Sequence, residues 1–359
     1  MAIDLKKIGL NDHFNDEAAQ YKGLFIARVS EQHREQYKVI TAYGELSAVV
    51  SGKLAYLADG RAEFPAVGDW VMVDRVNDTS GHAIIHHILR RISRLTRKGA
   101  GTGYEEQIIA ANIDIIFICM SLNADFNLRR LERYLTIAWE SMANPVIVLT
   151  KSDLCKDVGL KLAEVTSVAP GVDVIVCSAE APNGLDAIKM YTQPGKTIAF
   201  IGSSGVGKST LINRLIGQDI MATKEIREDD GRGRHTTTHR QLLLLPNGGI
   251  AIDTPGMREL QIFSGDISKT FEDIEELALG CRFKNCSHSN EPGCAVREAI
   301  NRGILLEQRL ASYLKLQREM VYDGMNSRQR EHEKINRMFG SKAKMKQAFK
   351  QIKDNKKGQ

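Results

Sequence analysis

The chain has 359 residues, of which 43% are hydrophobic and 26% charged, a composition typical of globular proteins with two or three domains. Its most apolar run, residues 113–122, is too short to span a bilayer and contains Asp114, so no membrane partner and a cytoplasmic location are expected. The net charge of +5 is uneven, because residues 326–359 hold 11 Lys and Arg against 3 Asp and Glu. This basic tail favours contact with nucleic acid, although a solvated helix would have the same composition.

Five short runs between residues 22 and 95 alternate apolar and polar side chains and are separated by turn-forming residues. A period of two is typical of strands with one buried face, so a small β-barrel is predicted over residues 1–97. An oligonucleotide-binding (OB-type) barrel is the leading prediction, while a structural barrel of the same size would have the same pattern. The third run, residues 45–57, is interpreted as strand throughout.

Residues 98–265 have the pattern of an α/β domain, in which apolar strands alternate with amphipathic helices. Strands that are apolar throughout indicate a mostly parallel sheet covered on both faces. A hairpin with a tight turn at Asn247-Gly248 follows, and both turn residues are expected to have positive φ. Residues 266–325 are predicted as a mostly helical domain, and residues 326–359 as the basic tail. The predicted strands are 113–120, 145–150, 172–178 and 197–202, and the predicted helices are 127–141 and the segment from Lys208.

The segment GSSGVGKS at 202–209 has the spacing of a P-loop and lies between a predicted strand and a predicted helix. Its glycines allow backbone N–H groups to close around phosphate oxygens at the positive end of the helix. Lys208 can reach the outer phosphates, and the Ser209 hydroxyl can ligate Mg²⁺. The loop alone does not distinguish ATP from GTP. The predicted phosphate-binding residues are Gly202, Ser203, Ser204, Gly205, Val206, Gly207, Lys208, Ser209 and Thr210.

Two short motifs that precede the P-loop indicate a guanine site. In TKSD at 150–153, the Asp153 carboxylate can accept hydrogen bonds from the guanine N1–H and amine, while Lys151 lays its stem along the base. Adenine would leave that carboxylate unpaired, which gives strong discrimination. In CSAE at 177–180, Ser178 and Ala179 resemble the loop that offers an amide to guanine O6. Thr150 stands where Asn is more usual.

Two further segments after the P-loop resemble GTPase switches. Asp253 of DTPG (253–256) can hold Mg²⁺ through water, and the Gly256 amide can contact the γ-phosphate. The Gly- and Arg-rich stretch 231–239 offers Thr236, Thr237 and Thr238, one of which should complete the magnesium shell when γ-phosphate is present. Thr237 is taken as that ligand, and the other two remain open. The order of motifs is therefore a circular permutation of the usual GTPase, which close chain termini permit.

Three of the six cysteines and one histidine lie within 14 residues, in the spacing C-x4-C-x-H-x5-C. Three thiolates and an imidazole form a closed ligand set for one tetrahedral, structural Zn²⁺, whereas a chance cluster is the alternative. The predicted zinc ligands are Cys281, Cys286, His288 and Cys294.

The chain resembles the RsgA family of circularly permuted GTPases over nearly its whole length. The resemblance rests on VGDWVMV (67–73), SLNADFNLRRLERYL (121–135), the permuted motifs, GRHTTTH (233–239) and the Cys–His cluster. It implies an OB-type barrel, a GTPase domain and a zinc domain. It also implies a late role in maturation of the small ribosomal subunit, with contact to its rRNA and with GTP hydrolysis to GDP stimulated by that subunit.

The residue after Gly256 is Met257, where many GTPases have the Gln that orients the attacking water, so slow hydrolysis by the isolated chain is expected. His235 is the candidate substitute, and the predicted catalytic residues are His235, Lys208 and Thr237. A solvated His235 is the alternative. A monomer is expected. Two other functions remain open: a non-catalytic RNA-binding scaffold with a passive nucleotide, and a P-loop ATPase or kinase.

Overall fold

The structure is a computed structural model, and the chain divides into two compact units, residues 1–273 and 274–359, which are described separately. Unit 1 contains a barrel and an α/β sheet, and unit 2 contains helices and the cysteine cluster. No helix in the described part of the chain is long and apolar enough to cross a membrane. The described residues are 3–33, 36–77, 81–98, 106–181, 183–218, 240–253, 266–324 and 347.

A closed five-stranded barrel forms the N-terminal part of unit 1, as the alternating pattern predicts. The barrel closes because the first strand pairs with both the second and the fourth. Inward side chains such as Val29, Val39 and Ile85 are fully buried in its core. The barrel strands are β1 (Phe25–Gln32), β2 (Tyr37–Thr41), β3 (Gly44–Val50), β4 (Trp70–Val73) and β5 (Ala83–Ile88).

The prediction of strand throughout residues 45–57 is wrong in its second half. Strand β3 ends at Val50, and a short helix, α2 (Gly52–Leu57), follows. The Ser51 side chain caps this helix by accepting a hydrogen bond from the Leu54 N–H. Serine is among the best N-cap residues, so this local hydrogen bond ends the strand and begins the helix.

The second part of unit 1 is the predicted, mostly parallel sheet, with strand order β10-β9-β8-β11-β13-β12. The three central strands β9, β8 and β11 are buried along almost their whole length. All neighbours are parallel except β12 and β13, which form the predicted hairpin. The strands are β8 (Ile115–Ser121), β9 (Asn144–Thr150), β10 (Asp173–Val176), β11 (Thr197–Ile201), β12 (Arg240–Leu244) and β13 (Ile250–Asp253).

Helices cover this sheet. The longest of them has Asn127 as its N-cap and buries Leu131, Leu135 and Ala138, which are three of the four positions predicted to share its apolar face; Leu128 is half-buried. The helices of unit 1 are α1 (Asp12–Ala18), α2, α3 (Leu128–Glu140), α4 (Val158–Val168), α5 (Asp186–Lys189) and α6 (Lys208–Ile216), with 3₁₀ turns at Leu5–Ile8, Arg61–Glu63 and Ser152–Leu154.

The hairpin turn differs from the prediction of two positive φ angles. Gly248 alone has positive φ, at 86°, and its N–H donates to the Leu245 carbonyl, 2.9 Å away. This is a turn followed by one left-handed glycine, a common alternative to the two-residue Asn-Gly turn. The turn is closed by the Leu245 N–H, which donates to the Gly249 carbonyl. In a two-residue Asn-Gly turn, Pro246 would flank the turn, and proline has no N–H to donate there.

Two features join the barrel to the α/β sheet. Strand β1 pairs with β12 through Glu31 and Gln32, so the two parts share one continuous sheet. The buried Arg28 of β1 donates to the Thr197 hydroxyl, 2.9 Å away, and to the carbonyls of Ile8, Gly68 and Asn112. Burial lowers the pKa of Arg28 to about 10.

A separate two-stranded ribbon, β6 (Arg94–Lys98) and β7 (Glu106–Ala111), completes unit 1.

Unit 2 is helical in its described part, as predicted. Tyr313 donates its hydroxyl hydrogen bond to Glu275, 2.9 Å away, and so ties two of its helices together. Burial, with this carboxylate as a further cause, raises the pKa of Tyr313. The helices are α7 (Glu272–Ala278), which begins in unit 1, α8 (Ala295–Asn301) and α9 (Glu307–Gly324).

Candidate nucleotide and metal sites

The predicted P-loop connects the end of β11 to the start of α6. Gly207 caps α6 with φ of 99°, and Gly202 has φ of 145°. A Cβ at position 202 would lie 2.4 Å from the carbonyl oxygen of Cys119 in β8, so only glycine lets the loop pass this close to the neighbouring strand. The loop therefore delivers its N–H groups to the positive end of α6, which favours anion binding.

The lysine of the loop is held by the loop itself. The Lys208 ammonium donates to the carbonyls of Gly202 and Ser203, at 2.7 and 2.5 Å. Ser209 and Thr210 follow it in the first turn of α6 and are partly exposed, whereas Val206 is buried. Lys208, Ser209 and Thr210 are thus all partly accessible at the start of α6.

The turn at 150–153 lies directly against the P-loop, although fifty residues separate them in the chain. The Thr150 hydroxyl donates to the Val206 carbonyl, 2.6 Å away, and the Lys151 ammonium donates to the Gly205 carbonyl, 2.8 Å away. The two segments meet because β9 and β11 both run parallel to β8, which lies between them. Thr150, which replaces the usual Asn, thus buttresses the P-loop through its hydroxyl.

The loop after β10 is the third part of this site. The Ser178 hydroxyl donates to the Asp153 carboxylate, 2.5 Å away, and the Ser152 N–H donates to the Cys177 carbonyl, 3.2 Å away. Ser178 is buried, and Ala179 next to it is half-buried. The carboxylate of Asp153 is therefore fixed in direction by one side chain, while its second oxygen accepts no hydrogen bond from the described residues.

The switch motifs are described only in part. The backbone of Asp253 ends β13, which is parallel to β11 in the register Ala199 to Ile252, so Asp253 follows at the sheet edge that carries the P-loop. Gly256 and Met257 lie outside the described residues, as does the basic tail apart from residue 347. The same holds for the whole 231–239 stretch, with Arg232, Arg234, His235, Thr236, Thr237 and Thr238.

An ion pair between Arg130 of α3 and Asp125, which precedes this helix, contacts the P-loop through Arg130 and was missed in the sequence. Arg130 donates through Nη1 to the Ser203 hydroxyl, 2.7 Å away, and to both oxygens of Asp125, each 2.9 Å away. In the sequence, Arg130 is one of several charged residues of an amphipathic helix, which are usually solvated. Its spacing from the apolar positions does not distinguish it, and the only signal is that it lies in the 121–135 stretch that carries part of the family resemblance.

Two cysteines lie buried beneath the site, and burial raises the pKa of Cys119 and Cys177 to about 12 each. We expect iodoacetamide at pH 8.5 to modify the half-buried Cys155 of the native protein and to leave these two untouched until urea unfolds the chain. The folded pKa values exceed the unfolded value of 9.0, so stability from these thiols is complete below about pH 9 and decreases as the pH rises towards 12.

Mass spectrometry of the alkylated cysteines and the urea midpoint at pH 8 and pH 10 measure both effects. Native-state labelling of Cys119 as fast as that of Cys155 would contradict the buried positions.

The four predicted zinc ligands of unit 2 form one cluster, in which the ligand atoms all lie within 4.8 Å of one another. Cys281 Sγ is 3.9 Å from Cys294 Sγ, and His288 Nδ1 is 3.7 and 3.5 Å from these two sulfurs. Ligand atoms around tetrahedral Zn²⁺ are separated by about 3.6 to 3.8 Å when the bonds have their usual lengths. The donor set therefore fits a single tetrahedral metal ion.

The backbone around this cluster is held by its own side chains. His288 has φ of 55°, and the Arg297 guanidinium donates to its carbonyl, 2.8 Å away. Glu291 accepts from the Ser287 hydroxyl and from backbone N–H groups of Ser287 and Ser289. These hydrogen bonds, that of the Ser287 hydroxyl first, lower the pKa of Glu291 to about 2. The ligand loop is thus shaped by polar contacts in addition to any metal.

Comparison with known proteins gives one consistent family. The model of the RsgA GTPase family matches residues 88–263. The small ribosomal subunit biogenesis GTPase RsgA 2 of Lactiplantibacillus plantarum is 58% identical, over 96% of this chain and 97% of the relative. The small ribosomal subunit biogenesis GTPase RsgA of Methanosarcina acetivorans is 44% identical, over 88% and 85%. The crystal structure of YjeQ from Thermotoga maritima has a TM-score of 0.63 at 26% identity, covering 84% of this chain and all of that one.

The structure of YloQ, described as a circularly permuted GTPase, has a TM-score of 0.61 at 24% identity, over 85% of this chain and 98% of that one, and supports the fold.

Proposed function

Because this chain belongs to the RsgA family of GTPases, we propose that it hydrolyses GTP to GDP on the small ribosomal subunit and assists a late step in the maturation of that subunit. One observation carries the proposal: the TKSD turn contacts the P-loop through Thr150 and Lys151, at 2.6 and 2.8 Å. This contact supports a single site in which one segment reads the base and the other binds the phosphates. The names of the relatives supply the ribosomal partner, and the rRNA of the subunit is the expected contact.

The Asp153 carboxylate reads guanine in this proposal. It accepts hydrogen bonds from the N1–H and the exocyclic amine of the base, while the hydrogen bond from the Ser178 hydroxyl fixes the orientation of the carboxylate. The Ala179 N–H is available to guanine O6, and the stem of Lys151 covers one face of the base. Adenine would leave the carboxylate without donors, which excludes ATP as the preferred nucleotide.

The phosphates bind to the loop N–H groups, to Lys208 and to the start of α6. The Lys208 ammonium neutralises the charge that develops on the β- and γ-phosphates. Ser209 and Thr237 would hold Mg²⁺, with Asp253 acting through water, and the bound metal would supply charge neutralisation at the phosphates. The chain's own residues then orient the nucleotide, and His235 orients the attacking water when the subunit is bound.

In the metal cluster, Cys281, Cys286, His288 and Cys294 bind one Zn²⁺ whose role is structural. The donor distances of 3.5 to 3.9 Å support this assignment. All four ligands come from the protein, so no position is left for a reacting water. The ion stabilises a small unit whose ligand loop has few apolar residues.

Replacing His235 with Ala should abolish most of the stimulation of GTP turnover by purified small subunits. A positioned general base or water-orienting group contributes on the order of 10²- to 10⁴-fold, so a loss of at least about 100-fold in stimulated turnover is expected. His239→Ala, four residues further along the chain, is the matched control and should keep the stimulation. Phosphate release is measured with and without subunits for the three proteins.

If the subunit stimulates His235→Ala as strongly as the wild type, a group other than His235 orients the attacking water. Absence of stimulation in the wild type would instead favour a non-catalytic RNA-binding scaffold that carries nucleotide passively.

A further inference from the structure

The side chain of Arg130 connects α3 to the P-loop. Its Nη1 donates to the Ser203 hydroxyl at 2.7 Å and to the Asp125 carboxylate at 2.9 Å, and the Tyr134 hydroxyl lies 3.4 Å from the same serine oxygen. The Arg130 and Asp125 side chains are 33% and 43% exposed, so their ion pair by itself adds little to global stability. A role in stability therefore does not account for this contact.

The pair stands on a rigid base. The Asn127 side chain caps α3 by accepting from the Arg130 N–H, 3.1 Å away. Asn123 accepts from the Ser121 hydroxyl at 2.8 Å and from the Asp125 N–H at 3.0 Å. These hydrogen bonds hold both ends of the connection from β8 to α3. The positions of Asp125 and Arg130 are therefore set by contacts that do not involve the P-loop.

Ser203 is the residue through which this contact reaches the phosphate site. Its hydroxyl is held by Arg130, and its carbonyl accepts from the Lys208 ammonium, 2.5 Å away. The neighbouring Gly202 carbonyl accepts from the same ammonium at 2.7 Å. Turning the Ser203 peptide would therefore redirect Lys208, which is the residue that meets the outer phosphates.

We propose that Arg130, held by Asp125, is a positioning residue for the nucleotide: it fixes the Ser203 peptide so that the loop carbonyls aim Lys208 at the phosphates. This inference rests on the proposed GTPase function. It assigns a role to the Arg130–Asp125 pair, which lies outside the nucleotide-binding motifs, and it makes the affinity of the site depend on a helix outside the loop. Ordering the loop before binding increases affinity by reducing the cost of ordering on binding.

Arg130→Ala should weaken the binding of a fluorescent GDP analogue and of GTP about tenfold, and the melting temperature of the nucleotide-free protein should stay within about 1 °C. That weakening is the order expected from one hydrogen bond to a charged group. Arg130→Lys should recover most of the affinity, because a single ammonium can replace the one nitrogen that makes these contacts. Lys189→Ala removes an exposed ion pair with Asp186 and is the matched surface control.

Two thermodynamic cycles test whether Arg130 acts through the named residues. Ser203→Ala should lose as much affinity as Arg130→Ala, and the double variant should lose no more than either. In a Lys208→Ala background, Arg130→Ala should have no further effect. Additive losses in either cycle, unchanged affinity of Arg130→Ala, or a fall in melting temperature that parallels the affinity loss would overturn the proposal.

The wild type separates this inference from the proposed function. If it binds GDP but subunits do not stimulate its turnover, the proposed function fails and the cycles still report on Arg130. If turnover is stimulated and Arg130→Ala binds nucleotide normally, the positioning role alone fails.

Discussion

Replacing Asp153 with Asn is expected to change the preferred base from guanine to xanthine. Guanine presents two N–H donors to the carboxylate, at N1 and at the exocyclic amine, whereas xanthine has a carbonyl in place of that amine. An Asn side chain offers one acceptor and one donor and therefore matches xanthine. Hydrogen bonds to a charged group contribute about 1.5 to 3 kcal/mol each, so GTP affinity should fall by at least about 100-fold.

Competition of GTP, xanthosine triphosphate and ATP against a fluorescent GDP analogue measures this change. The amide of Asn can still accept the hydrogen bond that Ser178 donates, so the turn should keep its shape. Glu180→Gln makes the same acid-to-amide change two residues beyond Ser178, on an exposed side chain, and should leave the guanine preference intact. An Asp153→Asn protein that still prefers GTP over xanthosine triphosphate would place the base-reading group elsewhere.

The meeting of the base and phosphate motifs could be predicted because parallel strands fix which loops share an edge. Strands β9, β8 and β11 are neighbours that run in the same direction, so the residues after Thr150 and after Ile201 emerge together. Each strand is recognisable from its uninterrupted apolar run, and each motif follows its strand directly. Reversing the order of the motifs along the chain changes the connections and leaves this edge unchanged.

The helix α2 could not be distinguished from strand by pattern, because six residues contain too few turns to separate a period of two from one of 3.6. A single side-chain contact decides the outcome there, the hydrogen bond from the Leu54 N–H to Ser51. The prediction of two positive φ angles at Asn247-Gly248 was wrong for a similar reason. Asn-Gly is compatible with more than one hairpin turn, and Pro246 on its N-terminal side favours the longer one.

Contacts between side chains far apart in the chain could not be predicted from the sequence. Arg130 and Ser203 are 73 residues apart, and neither segment has a pattern that specifies the other. The same is true of the pairing between β1 and β12, which joins Glu31 to Gln241 and makes one sheet of the barrel and the GTPase strands. Edge pairing depends on which strand ends are left open after the two parts have folded, which a local pattern does not encode.

Replacing Cys294 with Ser is expected to release the metal and unfold the described part of unit 2. Cys294 is also the N-cap of α8, where its sulfur accepts from the Arg297 N–H, 3.4 Å away. Serine is a preferred N-cap, so this variant keeps the cap and removes only the metal ligand. Structural Zn²⁺ contributes about 10 to 16 kcal/mol in small zinc-binding peptides, which is comparable with the whole stability of a typical domain.

Metal content per chain and hydrogen exchange of residues 281–301 measure this outcome. We expect the variant to lose its zinc and to exchange fast in this segment, and a chelator to produce the same exchange in the wild type. Cys155→Ser, a cysteine outside the cluster, should keep both zinc and protection. GDP affinity should change by less than about twofold, because the P-loop and the TKSD turn both belong to unit 1. A Cys294→Ser protein with one zinc per chain and unchanged exchange would show that the cluster is not the metal site.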